Sequence, residues 1–126
     1  MRVLLDTHIL LWWLADDPAL PERASDAIAD ADTSVVVSAA TAWEIAIKKA
    51  TGRLEAPDDL LDALEDNDFD QLPITAPHAL AAGDLPAHHG DPFDRMLIAQ
   101  AQIERAILVS VDERFSAYDV ELLPLA

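Results

Sequence analysis

Short apolar segments alternate with longer segments of helical character along this sequence, and that alternation limits the fold more than any other feature. The clearest apolar segments are RVLL (2–5), SVVVS (34–38) and ILVSV (107–111). Strands that are apolar on both faces are typical of a parallel sheet covered by helices on each side. The sequence therefore predicts an α/β fold with a mainly parallel central sheet. A weaker segment, FDQLPI (69–74), contains Pro73, which favours the edge of that sheet.

Capping residues and prolines delimit the helices between these strands. Thr7 and Ser38 are suitable N-caps for helices that begin just after them, and a short helix is predicted to start at Thr75 and end near Gly83. Asp91 is suited to cap a further helix whose first residue is Pro92. The remaining predicted elements are helices in LPERASDAIADAD (20–32) and APDDLLDALED (56–66), a turn or short helix in ERFSAY (113–118), and a last short strand in VELLPL (120–125).

Length and composition exclude several classes of protein. The 126 residues are enough for a single domain, taken as 1–126, and 52% of them are hydrophobic. No apolar segment approaches the roughly 20 residues that span a bilayer, and the N-terminus lacks the pattern of a secretory signal peptide. Without cysteine the chain forms neither a disulfide nor a cysteine-based zinc site. We therefore expect a cytoplasmic protein with no membrane partner.

Acidic residues dominate the charge of the chain. The 24 Asp and Glu residues, against 8 Lys and Arg, give a formal net charge of −16. A surface of this sign repels nucleic acid at long range, which argues against a protein that coats DNA or RNA. It suits a basic partner, a cation-dependent site or a salt-rich cytoplasm, and the sequence leaves these three explanations open.

Two aspartates directly follow apolar strands. Asp6 comes after the first predicted strand and Asp112 after the strand at 107–111, each beside a hydroxyl residue, Thr7 and Ser110. In an open parallel sheet, ligands bind outside the carboxyl ends of the strands, so we expect these carboxylates to lie close together if their strands are neighbours. The alternative explanation for each aspartate is helix capping.

Two further acidic residues lie on predicted helices. Asp94 is at the third helical position after the Asp91 cap, where the helix dipole alone stabilises a carboxylate by about 0.3–1 kcal/mol. Glu44 lies four residues before Lys48, and such a pair contributes about 0.2–0.5 kcal/mol. Because apolar residues surround Glu44, we expect it to be half buried and to need a partner.

A divalent cation would relieve the repulsion among four such carboxylates if they converge. Without a counter-charge, some of them would take up protons instead. Oxygen ligands of this type suit Mg²⁺ or Mn²⁺. Such a site supports phosphodiester hydrolysis, because the cation activates water and stabilises charge on the phosphate.

Four motifs resemble, in order and spacing, those of the PIN domain family, and they look most like those of VapC-type toxins from bacterial toxin–antitoxin pairs. They are VLLDTHILLWWL (3–14), SAATAWEIAIKKATGRL (38–54), HHGDPFDRMLIAQA (88–101) and ILVSVDERFSAYDVELL (107–123). The resemblance covers almost the whole chain. It implies a three-layer α/β/α sandwich, an endoribonuclease activity on RNA, a VapB-type antitoxin and a homodimer.

The resemblance also implies roles for particular side chains. Thr7 and Ser110 would line the site, and Ser110 stands where a threonine is common in the family. The acidic quartet that holds Mg²⁺ or Mn²⁺ would consist of Asp6, Glu44, Asp94 and Asp112.

Most of the few basic residues lie near these acids in sequence. We hypothesise that they form a small phosphate-binding rim, and ordinary salt bridging is the alternative. The residues of this rim are Lys48, Lys49, Arg53, Arg95 and Arg114. His88 and His89 precede Asp94 in a loop, where a histidine is usually just solvated. The apolar segment ILLWWL (9–14) predicts either a buried helix or a surface for a homodimer or an antitoxin.

Other functions on an α/β fold remain open from the residues alone. A receiver-like signalling module needs a lysine near the end of its last strand, and this chain has none beyond Lys49. A phosphatase of the haloacid-dehalogenase type needs a second aspartate two residues after the first, where His8 stands. A DNA nuclease on the same fold is the nearest alternative.

Overall fold

The computed structural model describes residues 1–126 and contains four strands, six α-helices and one 3₁₀-helix. The strands are β1 (Arg2–Leu5), β2 (Ser34–Ser38), β3 (Asp70–Leu72) and β4 (Ile107–Val109). The α-helices are α1 (Thr7–Leu14), α2 (Glu22–Ala29), α3 (Ala39–Ala50), α4 (Leu60–Asp66), α5 (Ala76–Asp84) and α6 (Pro92–Glu104). The 3₁₀-helix covers Glu113–Ala117.

All strand pairs in the sheet are parallel, and the strand order is β3-β2-β1-β4. Successive connections move in one direction from β1 to β3, and the chain then returns to place β4 on the other side of β1. A crevice forms at such a reversal, here outside the carboxyl ends of the neighbouring strands β1 and β4. The short strand β3 lies at the sheet edge, as Pro73 predicted.

Two hydrophobic clusters cover the two faces of the sheet. Successive side chains of β1 point to opposite faces of the sheet. Val3 and Leu5 pack on one face with side chains from α1 to α4, and Leu4 packs on the other face with α6. Phe115 of the 3₁₀-helix is fully buried in the second cluster. This arrangement confirms the predicted α/β/α sandwich with three layers.

Helix capping follows the sequence closely, with one exception. The side chains of Ser38 and Asp91 accept hydrogen bonds from the first turns of α3 and α6, as predicted, and that of Thr75 does the same for α5. The prediction that Thr7 caps α1 is wrong. Asp6 is the N-cap, and its Oδ1 accepts a hydrogen bond from the Thr7 backbone N–H. The Thr7 hydroxyl is therefore free to bond elsewhere.

The predicted strand at 120–125 does not form. A single bridge joins Leu122 to Leu108, and Leu123 donates a backbone hydrogen bond to Leu108. Pro124 lacks the N–H that would extend the pairing. None of the six α-helices is both long and apolar enough to cross a membrane.

Candidate active site

The pairing of β1 with β4 brings the two strand-end aspartates together. Asp6 donates its backbone N–H to the Val109 carbonyl at 2.9 Å, which extends the strand pairing by one step. The Ser110 hydroxyl donates to Asp6 Oδ2 at 2.6 Å and accepts from the Asp112 backbone N–H at 3.0 Å. Ser110 therefore bridges the ends of the two strands and fixes the orientation of the Asp6 carboxylate.

Helix α3 supplies Glu44, whose side chain is almost entirely buried. The Thr7 hydroxyl donates to Glu44 Oε1 at 2.5 Å, and Lys48 Nζ donates to Oε2 at the same distance. One oxygen of Glu44 is thus tied to the start of α1, and the other is paired with a cation one turn along its own helix. Glu44 is therefore more deeply buried than predicted, and it has the partners that a buried carboxylate needs.

Helix α6 supplies Asp94, which is held by a histidine from the loop before it. His89 Nε2 lies 2.7 Å from Asp94 Oδ2, and His89 Nδ1 accepts the Asp91 backbone N–H at 3.4 Å. Because Nδ1 is the acceptor, Nε2 carries the proton of the neutral ring and donates a hydrogen bond to Asp94. His89 is buried, so this contact fixes the direction of the Asp94 carboxylate.

These four carboxylates line one cavity of about 260 Å³. Five acidic and two basic side chains contribute to its lining, which leaves an excess of three negative charges when all are ionised. The lining residues are Asp6, Thr7, His8, Glu44, Lys48, Asp91, Asp94, Val111, Asp112 and Arg114.

The acids of the cavity fall into two electrostatic classes. Glu44 pairs with Lys48, and Asp112 accepts hydrogen bonds from Nε and Nη2 of Arg114, which hold the pKa of Asp112 below its ordinary value. Asp6 and Asp94 have no lysine or arginine partner.

Burial raises the pKa of Asp6, although hydrogen bonds from Ser110 and Thr7 oppose the shift. Burial and repulsion from Asp6 and Asp91 raise the pKa of Asp94 to about 6.

Comparisons with known proteins agree with this geometry. A sequence model of the PIN domain matches residues 3–121. The chain is 33% identical to "Ribonuclease VapC22" of Mycobacterium tuberculosis over 119 residues, which cover 92% of this chain and 91% of that protein. The chain belongs to the PIN domain family. The resemblance that the four motifs indicated is therefore confirmed.

Solved structures support the same fold. This PIN domain aligns with a TM-score of 0.69 to the structure described as VapBC2 from Rickettsia felis bound to a promoter DNA fragment, at 14% identity over 98% of both chains. It aligns with a TM-score of 0.67 to a toxin–antitoxin complex from Klebsiella pneumoniae, at 17% identity and again over 98% of both chains. At these identities the likeness concerns the fold.

The cavity of this PIN domain fits a divalent cation. Its donors are mainly carboxylate oxygens, the ligands that hard cations prefer. One carboxylate oxygen each of Asp94 and Asp112 lie within 4.8 Å of one another, close enough to share an ion. The two carboxylates without a lysine or arginine partner, Asp6 and Asp94, are those with raised pKa values, so a cation between them would replace bound protons.

Only part of the predicted phosphate-binding rim lies at the cavity. Lys48 and Arg114 line it, but each is paired with an acid of the site. Lys49 contacts the Pro57 carbonyl and Asp58 outside the lining. Arg53 contacts Thr51.

Arg95 has a structural position instead. Its guanidinium donates only to backbone carbonyls, from the end of α5 and the loop that follows. They belong to Ala82, Gly83, Leu85, Pro86 and His89. Arg95 thereby holds the loop that carries His89 against α6.

His89 and Asp91 have contacts at the site that their sequence positions did not predict. His89 looked like a solvated loop residue, yet it is buried against Asp94. Asp91 was assigned only a capping role, which it has, but it also adds a fifth carboxylate to the lining. His8 is exposed at the cavity and packs on Trp12. The spacing of His89, Asp91 and Asp94 around the start of α6 was the one sequence feature that could have indicated these contacts.

An Asp94→Asn substitution tests the electrostatics of the metal-free site. Because the folded-state pKa of Asp94 is raised, its protonated form stabilises the fold at low pH, and this stabilisation is lost as pH rises from about 4 through about 6. In EDTA, the variant should gain stability relative to the wild type over this range, by up to about 3 kcal/mol. Urea unfolding at a series of pH values measures the difference. If the difference in the free energy of unfolding between variant and wild type stays constant from pH 4 to pH 7, the raised pKa of Asp94 is refuted.

Proposed function

We propose that this PIN domain is an endoribonuclease that requires Mg²⁺ or Mn²⁺ and acts as the toxin of a VapBC-type toxin–antitoxin pair. The observation that carries the proposal is the convergence of Asp6, Glu44, Asp94 and Asp112 on one cavity. The relative from Mycobacterium tuberculosis that is named a ribonuclease supports RNA as the substrate class. The proposed place of action is the cytoplasm.

The roles of the acids follow from their surroundings. Asp6, Glu44, Asp94 and Asp112 would hold the cation, which when bound activates water and neutralises charge on the phosphate. The Ser110 and Thr7 hydroxyls keep Asp6 and Glu44 in place, and His89 orients Asp94. Side chains fixed in this way spend no free energy on reorganisation when substrate arrives.

The two cations of the cavity are the proposed phosphate contacts. Lys48 and Arg114 neutralise Glu44 and Asp112 while the site has no metal. With those carboxylates holding a cation, the ammonium and guanidinium groups would be available to a phosphate oxygen. Lys49 and Arg53 are proposed as weaker contacts farther along the substrate, and Arg95 is not included because carbonyls occupy its donors.

Cleavage assays test the proposal. Purified protein should cut RNA in Mg²⁺ or Mn²⁺ and not in EDTA, and Asp6→Asn should lower the rate by at least about 100-fold. Changes outside the ligand shell of a metal already cost about 10- to 100-fold, so loss of a ligand should cost more. Asp26→Asn, an exposed aspartate on α2, is the matched control and should keep wild-type activity.

Several results would overturn the nuclease proposal. They are RNA cleavage that continues in EDTA, full activity of a folded Asp6→Asn variant, or no cleavage of any RNA with either metal. Cleavage of DNA in preference to RNA would instead identify the alternative DNA nuclease. Circular dichroism establishes that each variant is folded.

An antitoxin of the VapB type is the proposed partner, and a homodimer the proposed assembly. The half-buried residues Leu11 and Leu14 of α1 border an apolar groove of about 260 Å³ with Ala56 and Pro57. An acidic cavity also attracts a basic segment. A complex saturated with antitoxin should show no metal-dependent cleavage, measured against free protein at equal concentration. Undiminished cleavage by the saturated complex would contradict this assignment.

A further inference from the structure

The charge of this protein leaves the source of its RNA affinity unexplained. Its net charge is −16, and the two cations of the cavity each neutralise an acid there. Phosphate contacts that release counterions supply most of the affinity in ordinary nucleic-acid binding. The proposed phosphate contacts, chiefly Lys48 and Arg114, are too few for that mechanism to act alone. A contact that does not depend on charge is needed beside the site.

An exposed aromatic residue meets this requirement. Trp43 on α3 is 62% exposed, which is unusual for the largest apolar side chain. Its ring centroid lies 5.3 Å from that of Phe93 on α6, and the two rings are nearly perpendicular, at 75°. This edge-on contact orients the indole and leaves most of it accessible to a ligand.

The aromatic pair lies on the same two helices as half of the acidic quartet. Trp43 directly precedes Glu44 on α3, and Phe93 directly precedes Asp94 on α6. The two helices pack against each other. The Trp43–Phe93 pair therefore marks the surface where α3 and α6 meet, next to the cavity wall that these helices form.

We propose that Trp43, supported by Phe93, is a stacking platform for an unpaired base of the RNA, close to the phosphate that is cut. The inference rests on the proposed ribonuclease function and specifies its substrate as single-stranded RNA. A base inside a duplex is covered by its neighbours, whereas an unpaired base can leave its strand and stack on an aromatic side chain.

The surroundings of Trp43 indicate which ligand binds to it. A nucleobase is uncharged and presents a flat apolar face, so the acidic surface does not repel it as it repels phosphates. Stacking on an aromatic side chain is also tolerant of base identity. A protein segment covering Trp43, from a partner or a second copy of this chain, is the competing occupant that the experiment must separate.

Binding of a fluorescent single-stranded RNA of 12 nucleotides tests the platform without requiring cleavage. Fluorescence anisotropy would be recorded in Ca²⁺, which has the same charge as Mg²⁺ and Mn²⁺ and also prefers oxygen ligands. A gel would show whether the oligonucleotide stays intact. Trp43→Ala should weaken binding between about 5-fold and about 150-fold, the range for loss of one stacked base. Trp43→Phe should retain most of the affinity. Leu80→Ala removes another exposed apolar side chain, 72% exposed on α5, and should bind like the wild type.

Other outcomes would overturn the platform. They are wild-type affinity of Trp43→Ala, an equal loss in Leu80→Ala, or equal affinity of the wild type for a duplex of the same sequence. If Trp43→Ala instead dissociates an oligomer and leaves RNA binding unchanged, the residue is an interface residue. Trp43-dependent binding by a protein that cuts no RNA in Mg²⁺ or Mn²⁺ would keep the platform and reject the nuclease proposal.

Discussion

Parallel pairing of β1 with β4 positions the candidate site. The pairing aligns Leu5 with Val109, so the next residues of both strands emerge at the same edge of the sheet. Asp6 and Asp112 are among them, and Ser110 links their chains through two hydrogen bonds. Helices α3 and α6 then reach this edge from the two faces of the sheet and add Glu44 and Asp94. A slip of one residue in the β1–β4 register would turn these side chains away from one another.

The resulting concentration of negative charge is costly and is only partly compensated within the chain. Lys48 and Arg114 neutralise Glu44 and Asp112, while hydroxyl and imidazole donors satisfy Asp6 and Asp94 without adding a full positive charge to either. Burial, with repulsion from neighbouring acids, raises the pKa values of Asp6 and Asp94. The proposed function would give this arrangement a use, since clustered carboxylate oxygens are the ligands that a divalent cation prefers.

Local sequence signals predicted much of the fold and of the acidic cluster. The apolar strands, the caps at Ser38 and Asp91 and the position of Asp6 and Asp112 all depend on residues close in sequence. Contacts between distant segments escaped prediction. His78 is an example: it is buried, caps α5 through Thr75 and bonds Glu104, which lies 26 residues away. The pairing of His89 with Asp94 and the carbonyl contacts of Arg95 likewise exist only once the loop is packed on α6.

Diffraction from crystals grown with Mn²⁺ tests the metal site most directly, because the anomalous signal locates the ion independently of any activity. The structure predicts an anomalous peak within coordination distance of Asp6 and Asp94, the two carboxylates without a lysine or arginine partner, and loss of that peak in crystals of Asp6→Asn. Full occupancy by Mn²⁺ at another surface, with the four carboxylates uncoordinated, would contradict the assignment of this cavity as a metal centre.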